Sequence, residues 1–149
     1  MKLFQIEEPD GLPTDPDAPG AAIGIDAGGD LAEVAVAVGG NALTLTDREG
    51  FERALPVPGP EAPLTEWQAL FEGARLRAER TLARPVTHAV LVFAAVLDPS
   101  LAAELLRASE AAGIELLRLV TTAELEAGTS RAEAAAIIAE DMAPRPEGL

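Results

Sequence analysis

A carboxylate at the end of an apolar run, followed by two glycines, is the part of this sequence best suited to chemistry. The run over residues 22–26 ends in Asp26, and Ala27-Gly28-Gly29-Asp30 follows it. An apolar run that meets a glycine-rich turn is typical of a buried strand entering a loop. There the Asp26 carboxylate could hold a hydrated Mg²⁺ beside a phosphate. The simpler interpretation is a turn in which Asp26 accepts hydrogen bonds from local amides.

Other polar residues follow the later apolar runs. Thr121 and Thr122 could face a phosphate, although capping the last helix is the simpler role for both. Glu124 could join Asp26 in a metal site with two carboxylates. Asp98 stands directly before a proline, a pairing that predicts a helix N-cap.

Two ring-bearing residues have simpler structural roles. His88 directly precedes an apolar run, which favours a residue at a strand edge over a catalytic base. Trp67 is at helical spacing with Leu70 and Phe71, so we expect it in the core and not at a binding surface.

The composition excludes several classes of function. The 149 residues include 25 Asp and Glu but only 11 Lys and Arg, which gives a net charge of -14. A nucleic-acid surface needs grouped cations, and here they are scattered, so nucleic acid is disfavoured as a partner. The lack of cysteine excludes disulfides, thiol catalysis and cysteine-ligated zinc. No apolar run approaches the ~20 residues of a membrane span, and the acidic start is unlike a signal peptide. We therefore expect a soluble, cytoplasmic protein without membrane contacts.

Composition also divides the chain into three parts. Residues 1–20 are acidic and rich in proline and glycine, which predicts a flexible arm. Residues 144–149 are predicted to be an unstructured tail. The remaining segment, 21–143, is long enough for one domain with a real core.

Hydrophobic periodicity predicts eight elements in that domain. They are strands 22–26, 31–38 and 42–46, helix 65–82, strand 89–93, helix 99–112, strand 114–120 and a final helix from 130. Capping boxes are predicted at Thr65 and at Ser130, and the last helix is expected to run through Ala134, Ile137 and Ile138. The order β-β-β-α-β-α-β-α, an antiparallel meander followed by two crossovers, predicts an α/β, ribonuclease-H-like fold with a mixed sheet.

Three segments resemble one protein family. Residues 23–29 (IGIDAGG) resemble the Gly-Ile-Asp-Leu-Gly-Thr-Thr motif of the actin-like ATPases, as found in the 70-kDa heat-shock (DnaK-type) chaperones. Residues 85–92 (PVTHAVLV) and 111–120 (AAGIELLRLV) are similar to the strands PVTxAVIT and IAGLEVLRII of that family. The resemblance covers most of residues 21–140. It implies the first subdomain of the nucleotide-binding domain, with the phosphate and Mg²⁺ region at Asp26, Gly28, Gly29, Asp30, Thr121 and Thr122.

The same alignment shows where the sequence departs from the family. Gly29 and Asp30 replace the two threonines that face the phosphates. At ~4 Å and an effective dielectric constant of ~20, Asp30 would oppose each phosphate charge by about 4 kcal/mol. Thr122-Ala123 replaces the family's Glu-Pro, and the family's second lobe has no counterpart in this sequence. These departures predict that ATP hydrolysis is lost.

Three classes of function therefore remain. The first is a truncated chaperone-like module that engages a protein partner or forms homo-oligomers, with no cofactor and no catalytic residue. The second is a site for Mg-ATP or Mg-ADP, completed by a dimer mate or a separate lobe. The third is a Mg-dependent nuclease that uses Asp26, Asp98 and Glu124, although the net charge would repel its substrate. We favour the first class.

Overall fold

The computed structural model describes residues 21–45, 55–59, 61–94, 97–125 and 130–143. The predicted arm and tail lie outside these residues. The helices and strands are β1 (Ala21–Asp26), β2 (Glu33–Val38), β3 (Asn41–Thr44), α1 (Leu64–Leu82), β4 (Val86–Phe93), α2 (Pro99–Ala111), β5 (Glu115–Thr121) and α3 (Arg131–Met142). The predicted α/β class is confirmed. No described helix is both long enough and apolar enough to cross a bilayer.

The five strands form one mixed sheet in the order β3-β2-β1-β4-β5. The pairs β1–β2 and β2–β3 are antiparallel, which confirms the predicted meander. The pairs β1–β4 and β4–β5 are parallel, so the ends of β1, β4 and β5 meet at the same edge of the sheet. This edge carries Asp26 and the two threonines at 121 and 122.

Helices α1 and α2 cover one face of the sheet with large side chains. The buried residues they contribute include Trp67, Leu70, Phe71 and Leu105. The Trp67 ring lies 5.6 Å from the ring of Phe93 in a tilted arrangement, so the predicted core position of Trp67 is confirmed. A fully buried side chain of this size contributes about 1.5–3 kcal/mol to stability.

Helix α3 covers the opposite face with small side chains. Ala132, Ala135, Ala136 and Ala139 are fully buried, whereas Ile137 is 38% exposed. The reason is Gly24 of β1, where an added Cβ would lie 2.3 Å from the carbonyl oxygen of Ala132. The backbone of α3 thus lies directly against the sheet, and the residues that it buries fully are alanines. The predicted helix through Ala134, Ile137 and Ile138 is confirmed, although Ile137 lies outside its buried face.

The starts of the first two helices differ in how well they were predicted. Helix α1 begins at Leu64 after Pro63, without a side-chain cap, so Thr65 lies inside the helix and its predicted capping box is wrong. Helix α2 begins as expected, because the Asp98 carboxylate accepts a hydrogen bond of 3.2 Å from the Ser100 amide.

Helix α3 is capped by Ser130, whose hydroxyl accepts a hydrogen bond from the Glu133 amide. The Glu133 carboxylate does not return to Ser130 but accepts hydrogen bonds from the amide and the hydroxyl of Thr44, at 3.1 and 2.7 Å. Two turns later, Glu140 accepts hydrogen bonds from the Gly39 and Gly40 amides, at 2.7 and 3.0 Å. Two glutamates of α3 therefore hold the β2–β3 hairpin through its backbone.

Candidate functional site

Asp26 is the last residue of β1, and its side chain is almost wholly buried. One carboxylate oxygen accepts a hydrogen bond of 2.9 Å from the Gly28 amide, as the turn interpretation predicts. The other oxygen accepts one of 3.1 Å from the guanidinium Nε of Arg131. Both oxygens of Asp26 thus have partners within the protein.

Arg131 is a member of this site that sequence reasoning missed. It is the first residue of α3, lies 105 positions after Asp26 and forms an ion pair with it. A cation in the first turn of a helix opposes the helix dipole, so it calls for a carboxylate nearby. That unfavourable placement was the available signal, although it could not identify Asp26 as the partner.

Gly28 connects the turn after β1 with the end of β5. A Cβ on Gly28 would lie 3.0 Å from Cγ2 of Thr122, 3.1 Å from the Asp26 carboxylate and 3.6 Å from Nε of Arg131. The fold therefore brings Asp26, Gly28 and Thr122 together, as the sequence predicts. Little room is left between them for another group.

The other half of the turn points outward. Gly29 and Asp30 are exposed, and no atom of the described residues outside its own neighbours lies within 4 Å of a Cβ placed on Gly29. The Asp30 carbonyl accepts a hydrogen bond of 2.9 Å from the Val57 amide, and the Ala32 amide donates one of 2.7 Å to Leu55. The turn is therefore anchored by backbone bonds to residues 55–57, which lie between β3 and α1.

Thr121 and Thr122 do not cap the last helix, contrary to their predicted simpler role. Thr121 instead caps a single 3₁₀ turn, Thr122–Glu124. Its amide and hydroxyl donate hydrogen bonds of 2.9 and 3.2 Å to the Glu124 carboxylate. The Thr122 hydroxyl donates a longer one, of 3.4 Å, to the Ala94 carbonyl.

The Glu124 carboxylate is held in its charged form. The hydrogen bond from the Thr121 amide is the main cause that lowers the pKa of Glu124, and the Thr121 hydroxyl and the nearby charge of Arg118 lower it further. These effects outweigh the desolvation that raises it. The Arg118 guanidinium lies 3.2 Å from the same carboxylate.

The three carboxylates expected in a nuclease site each have a separate local role. Asp26 binds Arg131, Asp98 caps α2, and Glu124 binds Thr121. Within the part of the chain that the structure describes, no group of three or more His, Cys, Asp or Glu side chains is placed to hold a metal ion.

His88 does not lie before a strand, as its position in the sequence predicts, but inside β4, which begins at Val86. His88 is 8% exposed. In the sheet it lies beside Ala22 of β1 and beside Glu115 of β5. Its Nδ1 lies 2.7 Å from the Thr87 hydroxyl and its Nε2 3.5 Å from the Glu115 carboxylate. The predicted position at a strand edge is wrong, because β4 begins three residues before the apolar run.

No protein-family model matches the sequence, and no curated protein matches it significantly. The proposed function therefore depends on the residues and the geometry of the site.

Proposed function

We propose that this chain is a protein-interaction module built on a ribonuclease-H-like subdomain of the actin-like ATPase type, without ATP hydrolysis. In this proposal the fold of a chaperone-type ATPase subdomain is kept and the chemistry is lost. We place the module in the cytoplasm, as its composition predicts.

The sheet supports the proposed fold. An antiparallel meander supplies β3, β2 and β1, and two crossovers through α1 and α2 add β4 and β5 in parallel on the other side of β1. The residues that resemble the chaperone family fall on three neighbouring strands: 23–29 on β1 and the turn after it, 85–92 on β4, and 111–120 on the end of α2 and most of β5. These are neighbouring strands at the centre and one edge of the sheet.

The state of Asp26 is the observation that carries the proposed loss of chemistry. A carboxylate that positions hydrated Mg²⁺ needs oxygen lone pairs directed to solvent. Here the two oxygens of Asp26 accept hydrogen bonds from Gly28 and Arg131, and Gly28 packs against Thr122. The exposed carboxylate of Asp30 adds a negative charge to the same turn.

The two outer strands of the described sheet, β3 and β5, support binding through side chains and not through addition of a further strand. The Leu45 amide donates to Val34 of β2, so the Thr44 amide faces away from the sheet, where the Glu133 carboxylate binds it. At the other edge, the last amide of β5, that of Thr121, is bound by Glu124. Carboxylates at these amides oppose pairing with a further strand.

An apolar patch at the β2–β3 corner supports a protein partner. Val38 and Leu43 are 64% and 59% exposed. Leu43 pairs with Val36, and Val38 is two residues beyond it, so both lie on the face that α1 and α2 cover elsewhere. We name Val38 and Leu43 the corner patch. Because the chain carries a net charge of -14, a partner with a basic surface is favoured over a second copy.

A photo-crosslinking residue at position 43 tests this proposal. In cells that express the full chain, we expect covalent adducts of a defined mass from position 43. The same residue at Glu61, which is exposed outside the corner patch, is the matched control. Adducts should disappear when Val38→Thr is added, since the substitution removes apolar contact while keeping the β-branched shape.

Sedimentation of the purified protein separates the two kinds of partner. A dimer that Val38→Thr dissociates would identify a second copy as the partner. A monomer that gives adducts only in cells would identify a different protein. A monomer without adducts at position 43 would contradict the proposed interaction.

A second candidate, a nucleotide half-site, is favoured by one observation. The Arg131 side chain is 43% exposed beside Gly28 and Thr122, so a phosphate that displaced Asp26 would meet a guanidinium. Mg-ADP binding that requires Arg131 would support this candidate over the first.

A further inference from the structure

A groove of about 460 Å³ lies beside His88. His88 and Glu115 stand near the starts of β4 and β5, whereas Asp26 stands at the end of β1. Because these strands are parallel, the groove lies at the opposite edge of the sheet from the Asp26 turn. The residues that line the groove include His88, Leu106, Glu110, Ile114, Glu115 and Leu116.

The inner wall of this groove is apolar. Ile114 is 1% exposed and Leu116 is 9% exposed, and both line the groove. Leu106 lies at its more open side, with 42% of its surface exposed. An aliphatic chain of a few carbons would therefore make its main apolar contact with Leu106.

The charged side chains that line the groove are acidic. Glu110 and Glu115 are exposed and line it, and none of the described lining residues is Lys or Arg. The groove also borders the C-terminal end of α2, where the helix dipole favours a cation. The last turn of α2 supplies no basic residue of its own.

A guanidinium of this chain already binds at the C-terminal end of α2. Arg75 of α1 donates a hydrogen bond of 2.9 Å from Nε to the carbonyl oxygen of Ala112, the residue that caps α2. The same Nε lies 3.8 Å from the Cβ position of Gly113, which lines the groove. The end of α2 is therefore chemically suited to an arginine side chain.

We propose that the groove binds an arginine side chain of the partner protein. Its guanidinium would donate to the carboxylates of Glu110 and Glu115, and the methylene groups of the same side chain would lie against Leu106. This inference deepens the proposed interaction module and depends on it. It adds a second contact, electrostatic in character, to the apolar corner patch.

Titration of the isotopically labelled full chain with a capped Ala-Arg-Ala peptide, followed by amide chemical shifts, tests the inference. We expect shifts that cluster at His88, Glu110, Gly113 and Glu115 and that weaken as salt is added. The peptide with citrulline in place of arginine keeps the shape without the charge and should not bind. The double variant Glu110→Gln/Glu115→Gln should weaken binding about fivefold or more, whereas Glu61→Gln outside the groove should leave it unchanged.

Three results would overturn the inference. They are shifts that map to another surface, equal binding of the citrulline peptide, and no shifts at about 10 mM peptide. None of them involves position 43, so the crosslinking result still decides the interaction proposal by itself. Adducts at position 43 without peptide binding would mean that the module is correct and the arginine contact is wrong.

Discussion

The two faces of the sheet are stabilised by different means. Helices α1 and α2 bury large side chains, among them Trp67, Phe71 and Leu105. Helix α3 buries only alanines, and its backbone lies against Gly24. In place of large apolar side chains, α3 has polar anchors.

Those anchors connect α3 to the edges of the fold. Arg131 holds the turn after β1 through Asp26, and Glu133 and Glu140 hold the β2–β3 hairpin through backbone amides. The volume of buried side chains therefore stabilises the first face, whereas close backbone approach and charge stabilise the second. Asp26 belongs to the second group, which is why its carboxylate has a structural role.

Truncation of a large residue on the α1 face should have the largest effect. Phe71→Ala removes a fully buried ring and leaves a cavity, so we expect unfolding to become easier by about 3–5 kcal/mol. Urea denaturation monitored by the fluorescence of Trp67 measures this change. A loss below about 1 kcal/mol would mean that volume does not stabilise this face.

A larger residue on the α3 face should lower the free energy of unfolding by nearly as much. Gly24→Ala places a methyl group 2.3 Å from backbone atoms of Ala132 and Ala136, so α3 must move away and stability should fall by about 3 kcal/mol. Gly29→Ala is the matched control, because the added methyl group meets no described atom within 4 Å. Equal unfolding midpoints for the two variants would contradict the close approach of α3.

The Asp26–Arg131 pair should give a smaller effect. Asp26→Asn and Arg131→Gln should each lower the unfolding free energy by about 1–2 kcal/mol, since the arginine is partly solvated. The double variant should cost less than the sum of the two, with a coupling of about 1 kcal/mol. Strict additivity would show that the two side chains do not stabilise each other.

The hydrogen bonds from α3 to the β2–β3 hairpin should contribute less to stability than the Asp26–Arg131 pair. Glu140→Gln replaces a charged acceptor at the exposed Gly39 and Gly40 amides with a neutral one, so the cost should be about 0.5 kcal/mol. Faster hydrogen exchange at these two amides should accompany it. Asp141→Asn, the adjacent exposed residue, removes the same charge and should leave that exchange unchanged.

The smallest effect is a pH dependence at Glu124. Because the pKa of Glu124 in the folded protein is lowered from its ordinary value of 4.5, its contribution to stability is present above that value and is lost as the pH falls through the lowered pKa. A carboxyl titration by NMR should show this lowered midpoint. Arg118→Met should leave it still lowered, because the Thr121 amide is the larger cause. A return of the pKa to its ordinary value in that variant would assign the shift to the arginine.

Much of the fold could be predicted because local signals were strong. The apolar runs at 22–26 and 89–93 predict the central strands, and the Asp98 cap follows from one dipeptide. The apolar face of α3 could not be predicted by periodicity, which selects the largest residues such as Ile137. The deciding contact is the backbone of α3 on Gly24, more than a hundred positions earlier.

The candidate site was predictable only in part, for the same reason. Asp26, Gly28 and Thr122 do lie together, since they stand at one edge of a parallel sheet. The contact between Asp26 and Arg131 is long-range, and neither residue's neighbours in the chain indicate it. The ribonuclease-H-like and chaperone-like assignments stay predictions.

Calorimetric titration of the full chain with Mg-ADP tests whether Asp26 is a structural partner of Arg131 or a ligand of Mg²⁺ and phosphate. Our expectation is no binding heat for the wild type and none for Arg131→Gln. A dissociation constant below about 1 mM for the wild type, lost in Arg131→Gln, would contradict it and establish the nucleotide half-site instead.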